Sequence, residues 1–266
     1  MLRSRVLTAL ALALLLVVAI LCSPANVTAA ILGLILVIGA WEWSAFLAVS
    51  RPWRVCYVLL LMLAGAAGLC WPLELERFAW TMLIACVWWL LALCWIVGAP
   101  QRGGRLAAAL AGVLALLPTW FALVHIDALW RHGAQWTLFI LALSFAADTG
   151  AFFAGRRFGR VPLAPRVSPN KTWEGVMGGM LLALAAAIGG AAWFRLPAVS
   201  FVPLCLGAAA FSVIGDLTES LLKRHVQLKD SGRLFPGHGG VLDRIDSVTA
   251  ATPVMTLGLI WLGVGP

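Results

Sequence analysis

Residues 27–49 read VTAAILGLILVIGAWEWSAFLAV, a run of 23 residues in which Glu42 is the single charged side chain. As an α-helix rising 1.5 Å per residue, this run is about 35 Å long, and a bilayer's hydrocarbon core is roughly 30 Å thick. The apolar residues are continuous and do not alternate with polar ones, which favours a helix over a barrel strand. The stretch is therefore predicted to cross a membrane.

Comparable apolar runs recur along the whole chain. The composition agrees, because 62% of the residues are hydrophobic, 11% are charged and the mean hydropathy is +0.98. These values exclude an ordinary soluble domain and predict an all-α, polytopic integral membrane protein with about nine transmembrane helices. The predicted spans are Val6–Leu21, Val27–Val49, Val55–Leu69, Phe78–Val97, Leu106–Val124, Trp136–Phe153, Gly175–Trp193, Ala198–Ile214 and Val248–Val264.

The first run has a second interpretation. Arg3 and Arg5 precede it and Ser23-Pro24-Ala25 follows it, an arrangement also typical of a cleaved signal peptide. A lipoprotein-type cleavage site would need a small residue before Cys22, where Leu21 stands. We expect the first run, Val6–Leu21, to be retained as a helix.

The basic residues predict the orientation of the spans. With nine spans, 16 of the 19 Lys and Arg residues fall on one side of the membrane, and Arg77, Arg131 and Arg195 fall on the other. Cytoplasmic loops carry the excess of positive charge, so the amino terminus is predicted inside and the carboxyl terminus outside. The formal net charge of +8 mostly reflects this topology, and no nucleic-acid partner is expected.

The charge distribution also divides the chain. Residues 1–135 are predicted to form about five spans, and residues 136–266 a second region with cytoplasmic loops at 154–174 and 215–247. The last two cytoplasmic loops hold 10 of the 16 inside positive charges and six of the chain's 11 carboxylates. Such dense mixing of both signs predicts that a charged ligand binds at the membrane surface.

Three aspartates are the candidate metal ligands. The helical pattern continues from the eighth span through Lys223, which places Asp216, Glu219 or Ser220, and Lys223 on one face. If the ninth helix begins near Leu242, Asp243 and Asp246 share a face as well. Carboxylates beside the glycine-rich turn at 235–240 predict Mg²⁺ holding a polyphosphate, with ligands Asp216, Asp243 and Asp246. The alternative is a set of solvated interfacial salt bridges.

The segment before the seventh span offers phosphate donors. Ser168, Asn170, Lys171 and Thr172 can all donate to phosphate oxygens, and a nearby helix start adds partial positive charge. The plainer interpretation is that Thr172 caps this helix, and capping is compatible with binding.

Two acidic residues fall within predicted spans. Asp148 is expected near the cytoplasmic end of the sixth span, where Arg156 or Arg157 could be its partner. Glu42 lies deeper, between Trp41 and Trp43. It is either functional or paired within the bundle, and the sequence does not decide between these.

Residues 220–246, SLLKRHVQLKDSGRLFPGHGGVLDRID, resemble the signature of the phosphatidate cytidylyltransferases, or CDP-diacylglycerol synthases. Asp148-Thr149-Gly150-Ala151 and the segment 168–175 are also similar to motifs of that family. The first half of the chain matches only in hydropathy and in Trp41-Glu42-Trp43. The resemblance therefore covers about residues 148–246.

This resemblance implies that CTP and phosphatidate react to give CDP-diacylglycerol and pyrophosphate, a step in phospholipid biosynthesis. It also implies Mg²⁺, allows a second, monovalent cation such as K⁺, and points to a homodimer in the cell inner membrane with its active site facing the cytoplasm. A phosphate monoester is largely dianionic at pH 7, so the lipid phosphate needs no strong general base. His238 is accordingly interpreted as a phosphate donor or a turn hydrogen-bonder.

Together these inferences assign roles to fifteen residues. The expected catalytic residues are Asp216, Asp243, Asp246, Lys223 and Arg224. The expected substrate-binding residues are Asp148, Ser168, Asn170, Lys171, Thr172, Lys229, His238, Gly239, Gly240 and Arg244.

Two other functions are compatible with parts of this pattern. A CTP-dependent polyprenol kinase would also join a nucleotide to a lipid, but it would need a base to activate a neutral hydroxyl. A transporter or channel could use Asp148 and Glu42 as a cation path. The chain shows no convincing internal repeat of the kind that transporters usually carry.

Overall fold

A computed structural model describes residues 14–70, 74–232 and 239–265. A first helical segment, α1, covers residues 14–22. The helices that follow are α2 (Ala25–Trp43), α3 (Arg51–Cys70), α4 (Leu75–Gly98), α5 (Arg105–Leu129), α6 (Gly133–Phe158), α7 (Trp173–Phe194), α8 (Ala198–His225) and α9 (Leu242–Trp261), with a 3₁₀ turn at Ser44–Leu47 and strands β1 (Pro162–Ala164) and β2 (Ser168–Thr172).

Within the described ranges, six stretches are long and apolar enough to cross a membrane: α2 with its 3₁₀ turn, α4, α5, α6, α7 and α8. They correspond to six of the nine predicted spans, so an all-α, multi-pass membrane protein is confirmed. The amino-terminal part of the first predicted span lies outside the described residues, and its retention stays a prediction.

Two helix boundaries agree with the sequence pattern and one does not. Helix α8 continues to His225, and α9 begins at Leu242, as predicted. Helix α6 extends to Phe158, five residues beyond the predicted span, and a strand pair follows it where a plain loop was expected. Pairing joins Pro162 to Thr172 and Ala164 to Ser168 in an antiparallel hairpin.

Small residues let the helices of the second half approach closely. A Cβ added at Gly178 of α7 would lie 2.8 Å from the Gly150 carbonyl oxygen of α6. One added at Gly215 of α8 would lie 3.0 Å from the Cβ of Ala250 and would also clash with the Asp246 carbonyl oxygen of α9. Backbone contact of this kind is typical of helix packing in lipid, and it places Asp216 beside Asp246.

Side chains that donate to helix carbonyls connect the first half to the second. The Trp43 indole Nε1 donates to the Ala108 carbonyl at 2.8 Å, which joins α2 to α5. The Thr119 hydroxyl of α5 donates to the Thr249 carbonyl of α9 at 2.9 Å. Helix α5 therefore packs between the amino-terminal helices and the helix that carries Asp243 and Asp246.

Candidate active site

The end of α8 and the starts of α7 and α9 meet at one end of the bundle, here called the mouth. The β-hairpin brings Lys171 to this point, where its Nζ lies 2.5 Å from Oδ2 of Asp216. The hairpin thus places a cation from the 168–175 segment against the first predicted metal ligand.

Two carboxylates of the mouth are buried. Glu219 of α8 is 1% exposed and Asp246 of α9 is 8% exposed. Within the described part of the chain, neither oxygen of Glu219 accepts a hydrogen bond, although Lys223 Nζ lies 3.3 Å from its Oε1. Asp246 Oδ1 accepts from the Ser247 amide at 2.8 Å. Asp246 precedes the apolar part of α9. Its burial and the negative charges of Asp216 and Glu219 raise its pKa.

Asp243 has a different set of contacts. Its Oδ1 accepts from Lys223 Nζ at 2.7 Å, while its Oδ2 accepts from the Ser231 amide at 3.0 Å, the Ser231 hydroxyl at 2.9 Å and the Gly240 amide at 2.7 Å. Burial alone would raise the pKa of Asp243, but Lys223 and these amides outweigh burial and lower it. Asp243 is therefore ionised at neutral pH, and its stabilising contribution is lost only in acid.

Glu42 lies on the other side of the same turn. This α2 carboxylate is 5% exposed, and it accepts from the Val241 amide at 3.1 Å and the Leu242 amide at 2.7 Å. Its Oε2 also lies 3.2 Å from the Ser231 hydroxyl, whose one proton can go either to Glu42 or to Asp243. It thus binds free amide groups at the start of α9, where a negative charge is favourable. The structure identifies Glu42 as paired within the bundle.

Two glycines make room for these carboxylates. Gly239 has φ +79°, a left-handed conformation that glycine adopts without steric cost. A Cβ at Gly240 would clash with the Glu42 carboxylate and with the Ser231 hydroxyl. The glycines are needed for the turn to close around Glu42 and Asp243, whatever further role they have in binding.

Asp148 reaches the mouth from α6. Its Oδ2 accepts from the Ser247 hydroxyl at 2.7 Å, and Lys171 and Arg244 are close enough to act on it electrostatically. The expected pairing of Asp148 with Arg156 or Arg157 is wrong. Because α6 continues to Phe158, those arginines lie more than two turns further along the helix, and Arg157 packs over the Phe158 ring.

The remaining predicted residues lie around these groups. Thr172 caps α7 by accepting from the Gly175 amide at 3.2 Å, as predicted, and Ser168 and Asn170 lie on β2. Arg224 Nε makes a long contact of 3.4 Å with the Val167 carbonyl of the hairpin. Lys229 is exposed, whereas His238 lies outside the described residues.

The predicted metal ligands do not share one point. Asp216 faces Lys171, Asp243 faces Lys223 and the turn, and Asp246 lies between them. In the described ranges no three Asp, Glu, His or Cys side chains are arranged to hold a metal ion. The oxygens of Glu219, which accept no hydrogen bond from the described residues and pair only with Lys223, together with the carboxylates of Asp216 and Asp246 nevertheless fit a hard cation, since Mg²⁺ uses few carboxylates and keeps water or phosphate ligands.

The sequence provided only part of the information on four further polar residues of this site. Glu219 was placed on the helical face of Asp216 and Lys223 without a role of its own. Ser231 and Ser247 gave no signal beyond their position near the aspartates. Pairing within the bundle was one of two interpretations of Glu42, but its partner Leu242 could not be identified, since it is 200 residues away.

Comparisons with known proteins agree with this geometry. The model of the cytidylyltransferase family matches residues 3–261. The chain is 38% identical to a phosphatidate cytidylyltransferase of Pseudomonas aeruginosa over 98% of its length and 97% of the relative's, and 36% identical to one of Haemophilus influenzae over 95% and 96%. A Bacillus subtilis phosphatidate cytidylyltransferase is 38% identical over 50% of each chain. With the match running through every described helix, the chain belongs to the cytidylyltransferase family.

Proposed function

We propose that this chain transfers the cytidylyl group of CTP to phosphatidate, forming CDP-diacylglycerol and releasing pyrophosphate. The observation that carries the proposal is the mouth itself, where Lys171 and Lys223 lie among buried and half-buried carboxylates in a chain that matches this family from end to end. Such a site suits two polyanionic substrates that must be brought together against their mutual repulsion.

In the proposed reaction, a phosphate oxygen of phosphatidate attacks the α-phosphorus of CTP. The bond from that phosphorus to the α,β-bridging oxygen breaks, and pyrophosphate leaves. Lys171 and Lys223 would bind phosphate oxygens, and each is already oriented by an aspartate. Ser168, Asn170, Arg224, Lys229, His238 and Arg244 are proposed to complete the substrate contacts.

We propose that Mg²⁺ binds at Asp216 and Asp246, next to Glu219. When bound, Mg²⁺ would neutralise charge on the phosphates of CTP. Asp243 is the third predicted ligand, but it would have to exchange hydrogen bonds from Lys223, Ser231 or Gly240 to bind a metal. A second site for K⁺ is proposed from the family resemblance alone.

CTP labelled at one of two phosphates distinguishes the possible reactions directly. Purified protein in lipid nanodiscs would be given phosphatidate or a polyprenol, together with CTP labelled at either the α- or the γ-phosphate. Cytidylyl transfer moves the α-label into lipid and the γ-label into pyrophosphate. Transfer of the γ-label to a polyprenol would instead show a kinase, and no labelled lipid from either substrate would overturn both enzyme proposals.

The orientation is proposed as amino terminus inside and carboxyl terminus outside, with nine spans and the mouth facing the cytoplasm, in the cell inner membrane. The support is the distribution of Lys and Arg, 16 against three. Alkaline phosphatase fused after residue 265 is expected to be active. Cytoplasmic fluorescence from the same fusion point, without phosphatase activity, would mean that the span count is wrong.

A homodimer is proposed on the family resemblance. Several large apolar side chains of α4, among them Leu90, Leu91 and Val97, are at least half exposed and would face lipid or a second copy. Mass measurement of the protein in nanodiscs is expected to give twice the mass of one chain, and a single-chain mass at all concentrations would contradict the dimer.

A further inference from the structure

The opposite end of the bundle contains a second, quite different pocket. It lies between the α5–α6 turn, the α7–α8 turn and the residues after α9, and it encloses about 1230 Å³ of space open to the surface. Asp148 and His132 are both on or next to α6, 16 residues apart, which is roughly 24 Å along a helix. This basic pocket, lined in part by Arg131, His132, Gln135 and Arg195, is therefore remote from the mouth.

No acidic side chain among the described residues that line this pocket balances its positive charge. Arg131 and Arg195 are two of the three cations predicted for the less basic side, and both line the pocket, which has no Asp or Glu among the residues described there. The third cation, Arg77, lies elsewhere and pairs with Glu74 at 3.9 Å. The two arginines that lack a carboxylate thus converge on one depression, and the start of α6 adds its own partial positive charge.

Two lining residues of the pocket have an unusual backbone conformation. His132 and Arg195 have φ values of +61° and +55°, a left-handed conformation uncommon for residues with a side chain. Arg195 ends α7, with its amide donating to the Ala191 and Ala192 carbonyls, and His132 precedes the first turn of α6. Both turns therefore hold a basic side chain at a fixed point on the pocket rim.

The other walls of the pocket suit a lipid. Trp136 is buried and stacks on Phe194, with ring centroids 3.6 Å apart. Trp193, also part of the lining, is 71% exposed at the helix end, where tryptophan side chains typically lie at the membrane interface. A ligand in this pocket would meet guanidinium groups and aromatic rings at headgroup depth.

We propose that this pocket binds the phosphate of an anionic glycerophospholipid, in the leaflet opposite to the mouth. Arginine forms bidentate, charge-assisted hydrogen bonds with phosphate oxygens, and the acyl chains would remain in the bilayer against Trp193. The site is separate from the proposed synthase chemistry and needs no residue of the mouth.

Native mass spectrometry of the full chain tests this site, with phosphatidylglycerol and phosphatidylcholine as probes. The wild type is expected to retain phosphatidylglycerol preferentially, and the double variant Arg131→Gln/Arg195→Gln to bind it about tenfold more weakly. Arg77→Gln, on the same side but paired with Glu74, is the matched control and should bind as the wild type does.

The double variant should keep wild-type cytidylyl transfer, which shows that it folds. Equal retention of phosphatidylglycerol by the double variant and the wild type would overturn the site. Equal binding of phosphatidylcholine would overturn its selectivity for anionic lipid. Displacement of bound lipid by excess inorganic phosphate would make it a site for free anions and overturn the lipid assignment.

Discussion

The turn at 239–243 and the mouth beside it both contain buried or half-buried carboxylates. The carboxylates of the two regions differ in how many hydrogen bonds they accept. At the turn, Glu42 and Asp243 accept five hydrogen bonds from backbone amides and Lys223, and the one proton of the Ser231 hydroxyl can go to either carboxylate. At the mouth, both oxygens of Glu219 lack a hydrogen-bond donor among the described residues. Buried polar groups normally have hydrogen-bond partners, so we expect the carboxylates of the two regions to have different functions.

We therefore expect the carboxylates of the turn to hold the backbone in position and those of the mouth to bind ligands. Carboxylates whose oxygens are fully used by backbone amides and Lys223 hold the start of α9 and its turn in place. Asp216, Glu219 and Asp246 bring carboxylates together with fewer donors, which favours a bound cation that could in turn bind phosphate. Substitutions in the two regions should therefore have different effects on activity and stability.

The largest effect is expected from the mouth. Asp246→Asn and Asp216→Asn should each lower kcat by about a thousandfold, roughly 4 kcal/mol in the barrier, because each removes charge where the metal is proposed to bind. Both variants should melt at close to the wild-type temperature, and their activity should depend more steeply on Mg²⁺. Turnover within tenfold of wild type at limiting Mg²⁺ would exclude these residues as ligands.

Asp243→Asn is expected to lose about a hundredfold in kcat, because Lys223 and the turn lose their common partner. Its melting temperature should fall, and excess Mg²⁺ should not restore activity. Titrating the activity of these variants against Mg²⁺ therefore compares the two regions directly. Recovery at high Mg²⁺ would make Asp243 a metal ligand, as the aspartate spacing alone predicts.

Glu42→Gln keeps the shape of the side chain but turns an NH₂ group towards amide donors. We expect kcat/KM to fall about thirtyfold, roughly 2 kcal/mol, with a lower melting temperature and an unchanged Mg²⁺ dependence. Exposed Glu76→Gln is the control. A changed Mg²⁺ dependence in Glu42→Gln would move this residue into the group that binds the metal.

The smallest effect is expected for His238→Gln, about tenfold or roughly 1.4 kcal/mol for one lost phosphate hydrogen bond. At saturating CTP the rate should rise as pH passes the lipid phosphate's second pKa, near 6, and then level off. The variant should keep this profile. A thousandfold loss together with disappearance of the acidic limb would make His238 a general base and favour the hydroxyl-phosphorylating alternative.

Much of the fold followed from residues close together in the chain. A span in lipid must satisfy its backbone hydrogen bonds within one helix, so an apolar run such as 27–49 is already enough to predict a helix. The continuation of α8 beyond its span followed from side-chain periodicity, whereas the start of α9 at Leu242 was only a condition for Asp243 and Asp246 to share a face. The hairpin at 162–172 was missed because its pairing is short and lies at the membrane surface.

Contacts between distant segments could not be inferred in this way. Glu42 accepts a hydrogen bond from Leu242 across 200 positions, and the arginines after α5 and after α7 line one pocket because α6 and α7 pack backbone to backbone. Local periodicity places a charge on a helix face, but it does not say which distant donor will satisfy it. That depends on helix packing, which assigns Asp243 to the turn, leaves Glu219 without a donor, and brings Arg131 and Arg195 together.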